Sequence, residues 1–385
     1  MTTMFDVAVV GSGPAGATAA RALAERGLKV VLLERESLPR YKTCGGGLVA
    51  RAFDLLPAEV HGVVERNYGV ADLHLLDRDL HFRAVRAAPF ISMTMRERLD
   101  QTLATAAVAS GAELRAPCRV IGLHPERESV RLDTDREAVT ASFVIAADGA
   151  GSDVARLAGW TDGRHLIPAL EYEVEVDPAT FDRFAGAPRF DVGLVPYGYA
   201  WVFPKAAHLS VGVLTAHRGP INLHRHLEDY LHAIGLVPRS MQRHGFVIPV
   251  RPRAGPLTRG RVLLTGDAAG LADPLTAEGI SLAARSGRLA AEAIHGAWEA
   301  GPPRDPRRVG AAYAALLRPT LADLRVGRWL ARLLYNHPRA RAWIFRRIGQ
   351  PLVEAITEVF LGGRTYRGSL TGLALALTRR VSTRS

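Results

Sequence analysis

Two cysteines in 385 residues, Cys44 and Cys118, are too few for a disulfide framework or a thiolate metal centre. No metal site is expected. Long apolar runs are missing as well. Nothing approaches the roughly 20 residues needed to span a bilayer, and the nearest stretch, Leu370 to Leu377, is far too short. The first strand pattern begins at Phe5, so no cleavable signal is expected ahead of it. Repeats and low-complexity linkers are also absent. These absences turn attention from secreted and membrane-spanning classes to a cytoplasmic chain, soluble or peripheral to the inner membrane face.

Lysine is absent from residues 301–385, where sixteen arginines stand against four acids, a net of +12. The first 300 residues hold 33 basic and 34 acidic groups, so the whole excess lies in the tail. Interleaved with it are Trp329, Leu330, Leu333, Leu334, Trp343, Ile344, Phe345 and Ile348. Arginine among tryptophan and leucine suits a helix lying on anionic headgroups. The competing reading is a helical cap with solvated arginines. Pro338 should split the stretch into two helices. Nucleic acid is not an expected partner, because no reading element accompanies the charge.

What the chain does contain is a dinucleotide fingerprint. Phe5–Val10 reads as a strand, followed by Gly11-Ser12-Gly13-Pro14-Ala15-Gly16, an apolar helix pattern ending at Gly27, and a second strand ending at Glu34. Gly11 makes the tight turn, Gly13 lets backbone approach a pyrophosphate, and Gly16 lets helix and strand pack closely. The helix N-terminus offers free N–H groups to phosphates. Glu34 can accept from both ribose hydroxyls, and its charge repels a 2′-phosphate, which leaves FAD or NAD(H). Two further apolar strands end in carboxylates: residues 141–148 at Asp148-Gly149, and residues 261–267 at Gly266-Asp267. The second runs through Glu278 and Gly279 into an alanine-rich helix starting near Ile280. Ligands of open α/β sheets bind at such strand ends, and the spread of these two suits a long dinucleotide.

Together the three stretches resemble the FAD-binding fold of p-hydroxybenzoate hydroxylase-type flavoproteins over roughly residues 4–298. Arg96, in Met95–Asp100, matches the arginine that begins a helix beside the cofactor there. A fourth stretch, from Leu38-Pro39 through Tyr41 to Cys44-Gly45-Gly46-Gly47, resembles a signature of geranylgeranyl reductases. So does Tyr199-Ala200-Trp201-Val202-Phe203-Pro204 with the later Gly212, although the family's last glycine there is Leu214 in this chain. The resemblance implies FAD-dependent saturation of carbon–carbon double bonds in prenyl chains of a lipid or isoprenoid quinone. The alternative is an FAD monooxygenase of an aromatic or polyketide substrate. A cysteine before three glycines is a poor core position and a good ligand-facing one.

The expected cofactor set is Gly11, Gly13, Pro14, Ala15, Gly16, Glu34, Arg35, Cys44, Gly45, Arg96, Asp148, Gly266, Asp267, Gly279 and Ile280. Cys44, Tyr199 and Trp201 are the expected catalytic residues, lining the substrate pocket, with Cys44 the first candidate for proton donor. No second dinucleotide fingerprint is present, so the electron donor is expected to be transiently docked NAD(P)H or a reduced ferredoxin-like protein. A monomer is expected.

The fold class follows: an α/β chain with a Rossmann-like FAD-binding lobe, an inserted antiparallel substrate sheet and a helical C-terminal region. Residues 1–70, 96–158 and 259–298 are assigned to the cofactor lobe. Residues 71–95 and 159–258 are assigned to the substrate lobe, and 299–385 to the tail. Glu171 to Asp177 alternates strictly and reads as an antiparallel strand with one face in water.

Overall fold

Four apolar strands that read as nearly continuous Val, Leu, Ile and Ala lie side by side and parallel, because both faces of the sheet are covered. In order they are Val262–Leu264, Val139–Ala146, Met4–Val10 and Val30–Leu33, with Glu113–Arg115 added beyond. The computed structural model describes residues 4–161, 165–302 and 304–369. Register brings the carboxyl ends level: Val10 pairs with both Leu33 and Ala146, and Ala146 pairs with Leu264. All three motif turns, after Val10, Ala146 and Leu264, therefore open on one sheet edge, beside Glu34. An antiparallel pair, Val120–Pro125 and Val130–Thr134, hooks onto Val139–Ala146.

The helix Pro14–Ala24 packs against the long helix Ile280–Glu299. Glycine makes this possible, since a Cβ at Gly287 would collide with the Ala15 carbonyl. Both helices press alanines onto the parallel sheet and build a core with Leu32, Phe143 and Ile145.

A second sheet of seven strands runs Ser240–Pro249, Leu166–Glu175, Leu209–Thr215, Gly198–Pro204, Arg189–Val192, Val70–Leu75 and Leu80–Val85. All neighbours are antiparallel except Arg189–Val192 and Val70–Leu75. One face carries Tyr172, Val202, Val211 and Tyr230 of the helix Leu223–Ala233 in a separate core. The other face carries Tyr199, Trp201 and Phe203 and turns toward the cofactor edge. A three-stranded ribbon, Gly47–Val49, Ile91–Thr94 and Val64–Tyr68, lies between.

The strand Leu166–Glu175 departs from its sequence reading. It is interior, paired on both sides, and Glu171 is only 1% exposed. At Glu171 the polar side faces a cavity and not bulk water, while Glu175 at the strand end is exposed.

The tail forms two helices, Pro306–Asn336 and Pro338–Leu361, divided at Pro338 as expected. Leu330, Leu334 and Phe345 are buried against the substrate side. Trp329 and Trp343 stay 57% and 63% exposed. Among the described residues no helix is long and apolar enough to cross a membrane. Residues 370–377 lie outside the described residues.

Candidate functional site

The strand ends and the aromatic sheet face enclose one cavity of about 410 Å³. At the turn after Val10, Gly11 adopts φ +100° beneath the Ala147 carbonyl, a conformation and a space that a side chain would not tolerate. Gly16 lies directly against the Gly11 carbonyl, packing helix to strand. Gly13 is different: a Cβ there would find nothing nearer than the Arg96 guanidinium at 3.8 Å, so the backbone is bare toward the cavity. The N–H groups of Ala15 and Gly16 precede the first intrahelical bond, from Ala17 to the Gly13 carbonyl, and no side chain caps them. A pyrophosphate is what such an uncapped, glycine-faced helix start accommodates. These features fit FAD, with Glu34 for its ribose and Arg96 beside it.

Glu34 is held by a network the sequence did not reveal. Its Oε2 accepts from the Ser12 N–H at 3.0 Å, the Ser12 hydroxyl at 2.6 Å and Arg40 at 3.3 Å. Arg40 continues to Asp100 at 3.0 Å, and Asp100 takes two bonds of 2.9 Å from Arg96. Burial pushes the Glu34 carboxyl up, but Arg40 and Ser12 outweigh it and hold the group below its usual range. Burial likewise works against the Arg96 charge, and Asp100 and the Cys44 side chain more than offset it.

Cys44 lines the cavity at half burial. Its backbone N–H donates to Glu171 Oε2 at 2.7 Å, and its Sγ accepts from the Gly46 N–H at 3.4 Å. The loop is pinned from below by Lys205, which is fully buried and donates to the carbonyls of Gly45 at 2.6 Å and Thr94 at 3.0 Å. Gly46, at φ +65°, leaves the room that this ammonium occupies. Glu171 also accepts from Ser210 at 2.5 Å. Burial, with the neighbouring Glu173, pushes its carboxyl up to about 7. Lys42 sits with Nζ 3.3 Å from the Phe246 ring centroid. Burial and then the Arg96 charge push it down to about 8.

Tyr199 and Trp201 line the same space with Phe190 and Phe203. Tyr199 donates to the Thr276 carbonyl. The indole of Trp201 lies against Gly212 of the next strand, and among the described residues its buried Nε1 has no partner. Gly212→Ala would drive a methyl into a ring held between strands, an overpacking worth about 1–3 kcal/mol. We expect it to lower the melting temperature by several degrees, and an unshifted melt would remove the indole–glycine contact from the account.

Of the sequence-derived set, Gly13, Pro14, Ala15, Glu34, Arg35, Cys44, Gly45, Arg96, Asp148, Asp267, Gly279, Ile280, Tyr199 and Trp201 line this cavity, as does Gly11. Gly16 and Gly266 lie behind it, packed against Gly11 and against Ala15 and Ala283 respectively. The Asp148 carboxylate is engaged by its own turn, accepting from Ser152 at 2.5 Å and the Val154 N–H at 3.0 Å. Arg40, Lys42, Asp100, Glu171 and Lys205 had no sequence signal beyond their type.

The family model described as FAD binding domain matches residues 4–295, which places the protein among FAD-binding flavoproteins. Digeranylgeranylglycerophospholipid reductase 1 of Methanopyrus kandleri is 33% identical over 315 residues, spanning 75% of this chain and 80% of that protein. The chloroplastic geranylgeranyl diphosphate reductase of Oryza sativa subsp. japonica is 30% identical over 394 residues, 94% of this chain and 82% of that one. A solved geranylgeranyl bacteriochlorophyll reductase-like protein from Thermoplasma acidophilum superposes with TM-score 0.74 at 25% identity, over 86% of this chain and 88% of that one. The chain belongs to the geranylgeranyl reductase family of flavoproteins.

Proposed function

We propose that the protein is an FAD-dependent reductase that saturates carbon–carbon double bonds of geranylgeranyl-type chains in a lipid or isoprenoid quinone. One observation carries the reading: a single cavity joins the dinucleotide strand ends to an apolar aromatic wall, with the Cys44 loop at the junction. Residues 1–70, 96–158 and 259–298 serve the cofactor, residues 71–95 and 159–258 the substrate, and the tail closes the substrate side. Bound reduced FAD supplies the hydride.

The protein's part is to hold an unpolarised alkene dry and still, and to deliver a proton to the other carbon. Tyr199, Trp201, Phe190 and Phe203 make the dry wall. Cys44 and Glu171, joined through the Cys44 N–H, stand beside that wall as the proton donors to test. Lys42 and Arg96 keep positive charge beside the cofactor. Electrons reach the flavin from NAD(P)H or a reduced ferredoxin-like protein.

The test is direct. Anaerobically reduced enzyme given geranylgeranyl lipids should yield products heavier by steps of 2 Da per reduced double bond. Readmission of oxygen with hydroxylated product and no saturated product would instead establish the monooxygenase alternative.

The exposed Trp329 and Trp343, on arginine-rich helices with buried leucines, support peripheral contact of a monomer with anionic membrane. A polyprenyl substrate dissolved in the bilayer would then enter without crossing water. The protein should co-sediment with phosphatidylglycerol vesicles at low salt and be released as salt approaches 0.1 M, where screening acts within about 10 Å. Residual binding from the tryptophans should survive. Absence of binding at low salt removes the membrane contact.

A further inference from the structure

Every double bond saturated consumes a proton, and the acid that gives it must regain one from water before the next. Glu171 is 1% exposed, so bulk water does not reach it. An apolar chain filling the cavity also expels water from the cavity side. Replacement then has to come through the protein from behind.

Behind Glu171 a row of polar side chains runs along the substrate sheet. On the strand Leu166–Glu175, Glu171 and Glu173 stand two positions apart, on one face and about 7 Å from each other along the strand. Ser210 of Leu209–Thr215 pairs with Glu173 in register, yet its hydroxyl donates to Glu171 Oε1 at 2.5 Å. One hydroxyl thus reaches from the level of one carboxyl to the other. Beyond it, Glu173 Oε2 lies 2.8 Å from His208 Nε2. His208 closes the turn between Gly198–Pro204 and Leu209–Thr215, where its carbonyl accepts from the Lys205 N–H at 2.8 Å. Side-chain exposure falls inward, from 24% at His208 to 10% at Glu173, and Glu171 ends the series. The row therefore leads from solvent to the carboxyl that holds the Cys44 N–H.

The other titratable groups facing this pair are engaged elsewhere. Lys205 is buried and donates to the Gly45 and Thr94 carbonyls. Tyr41, in the Cys44 loop, bonds Glu173 and stacks on His244 with ring centroids 4.2 Å apart. Burial and then the two glutamates push its phenol up, so it keeps its proton. His244 stands opposite Glu171 on Ser240–Pro249, but among the described residues its buried Nε2 has no partner, so that nitrogen is not joined to the carboxyls. Two carboxyls this close resist ionising together. Burial and then Glu173 push the Glu171 carboxyl up, against Ser210, Lys205 and the Cys44 N–H, and the pair holds a proton below about pH 7.

We propose that His208 and Glu173, with the Ser210 hydroxyl between the carboxyls, carry protons from solvent to Glu171 and so recharge the active-site acid while the prenyl chain stays bound. The inference rests on the prenyl-reductase reading and deepens it. An imidazole can take a proton at one ring nitrogen and release one from the other. His208 takes a proton from water at Nδ1 and passes the one at Nε2 to Glu173, which protonates Glu171 through Ser210. That proton replaces the one given to the alkene by Glu171 or by the Cys44 it anchors. Hydride comes from the reduced flavin, so each double bond gains one hydride and one proton. Neither His208 nor Glu173 lines the cavity, and both act through Glu171.

Two arms test this on FAD-loaded parent, His208→Ala and Glu173→Gln. Flavin absorbance and melting curves check folding, and either variant alone serves if the other does not fold. The first arm needs no turnover. Protein held below pH 7, where Glu171 carries its proton, is mixed into deuterium oxide. Infrared spectra follow the carboxylic acid band that Glu171→Gln lacks. Exchange at that band should slow about tenfold in both variants, less than the hundredfold or more expected from losing an acid itself. Free imidazole should restore exchange in His208→Ala and not in Glu173→Gln.

The second arm is kinetic. With excess dithionite and a geranylgeranyl lipid, steady turnover should fall by a similar factor. The first turnover of reduced, already protonated enzyme should fall far less. Products should carry fewer saturated bonds per chain, and imidazole should again rescue His208→Ala. Equal exchange in parent and variants, no rescue by imidazole, or equal losses in first and steady turnover overturns the proposal and leaves His208 and Glu173 an ordinary ion pair. If no form reduces any prenyl compound, the reductase reading falls, and the exchange arm still decides whether protons reach Glu171 by this route.

Discussion

Glu34→Arg protein should leave purification with little or no flavin. The substitution removes the carboxylate proposed to accept from the ribose and sets a second cation where Arg40 now donates to Glu34 at 3.3 Å. It also strips the Ser12 N–H and hydroxyl of the oxygen they share. Losing hydrogen bonds to a charged group costs about 1.5–3 kcal/mol each, so an increase of two to three orders of magnitude in the FAD dissociation constant is expected. Flavin absorbance per mole of protein, followed by titration with FAD, measures this. Stoichiometric flavin in the variant would mean that Glu34 does not hold the ribose. The conservative Glu34→Gln keeps an acceptor and gives up the charge, so it should fall between the two.

The sheet position of Glu34 was legible because its determinants are local. Gly11, Gly13 and Gly16 lie within six residues, and the strand that delivers Glu34 follows one helix later. The same holds for Asp148 and Asp267, each announced by the apolar strand before it. The Arg40–Asp100–Arg96 network was not legible, since Arg40 and Asp100 are sixty positions apart and surface ion pairs look the same in sequence. Glu171 was misjudged for a related reason. Strict alternation says that one side of a strand is polar, but a polar side facing a cavity and one facing water give the same pattern. What distinguishes them is the pairing of Leu166–Glu175 on both edges and the Cys44 loop laid over it, both long-range contacts. The tail's excess charge was countable, but Arg328 and Arg332 come to line one cavity with Arg218 and Arg251 only through the fold.

The second large effect concerns Glu171 and the proton. Its carboxyl is pushed up to about 7, first by burial and then by Glu173, so below that pH it is a neutral acid on the cavity rim. If it supplies or relays the proton, turnover of the parent should be flat at low pH and decline as pH rises through about 7, because the proton-bearing form disappears. Glu171→Gln keeps the acceptor for the Cys44 N–H and cannot give up a proton. The expected loss is about a hundredfold or more, within the usual range for removing a general acid, with flavin content unchanged and the decline above pH 7 abolished.

Stability gives an independent reading of the same group. The folded state binds this proton more tightly than the unfolded chain, whose pKa is near 4.5. The parent should therefore lose stability as pH rises between 4.5 and about 7 and level off above, and Glu171→Gln should lose that slope. Cys44→Ala separates the two rim acids. If Cys44 is the immediate donor and Glu171 its reservoir, Cys44→Ala is as slow as Glu171→Gln but keeps the parent's stability slope. Should Cys44→Ala match the parent in rate and in the number of double bonds saturated, the thiol is a small loop residue and Glu171 acts alone. Parent-like turnover and an unchanged pH profile in Glu171→Gln would leave the carboxyl only the task of anchoring the Cys44 loop.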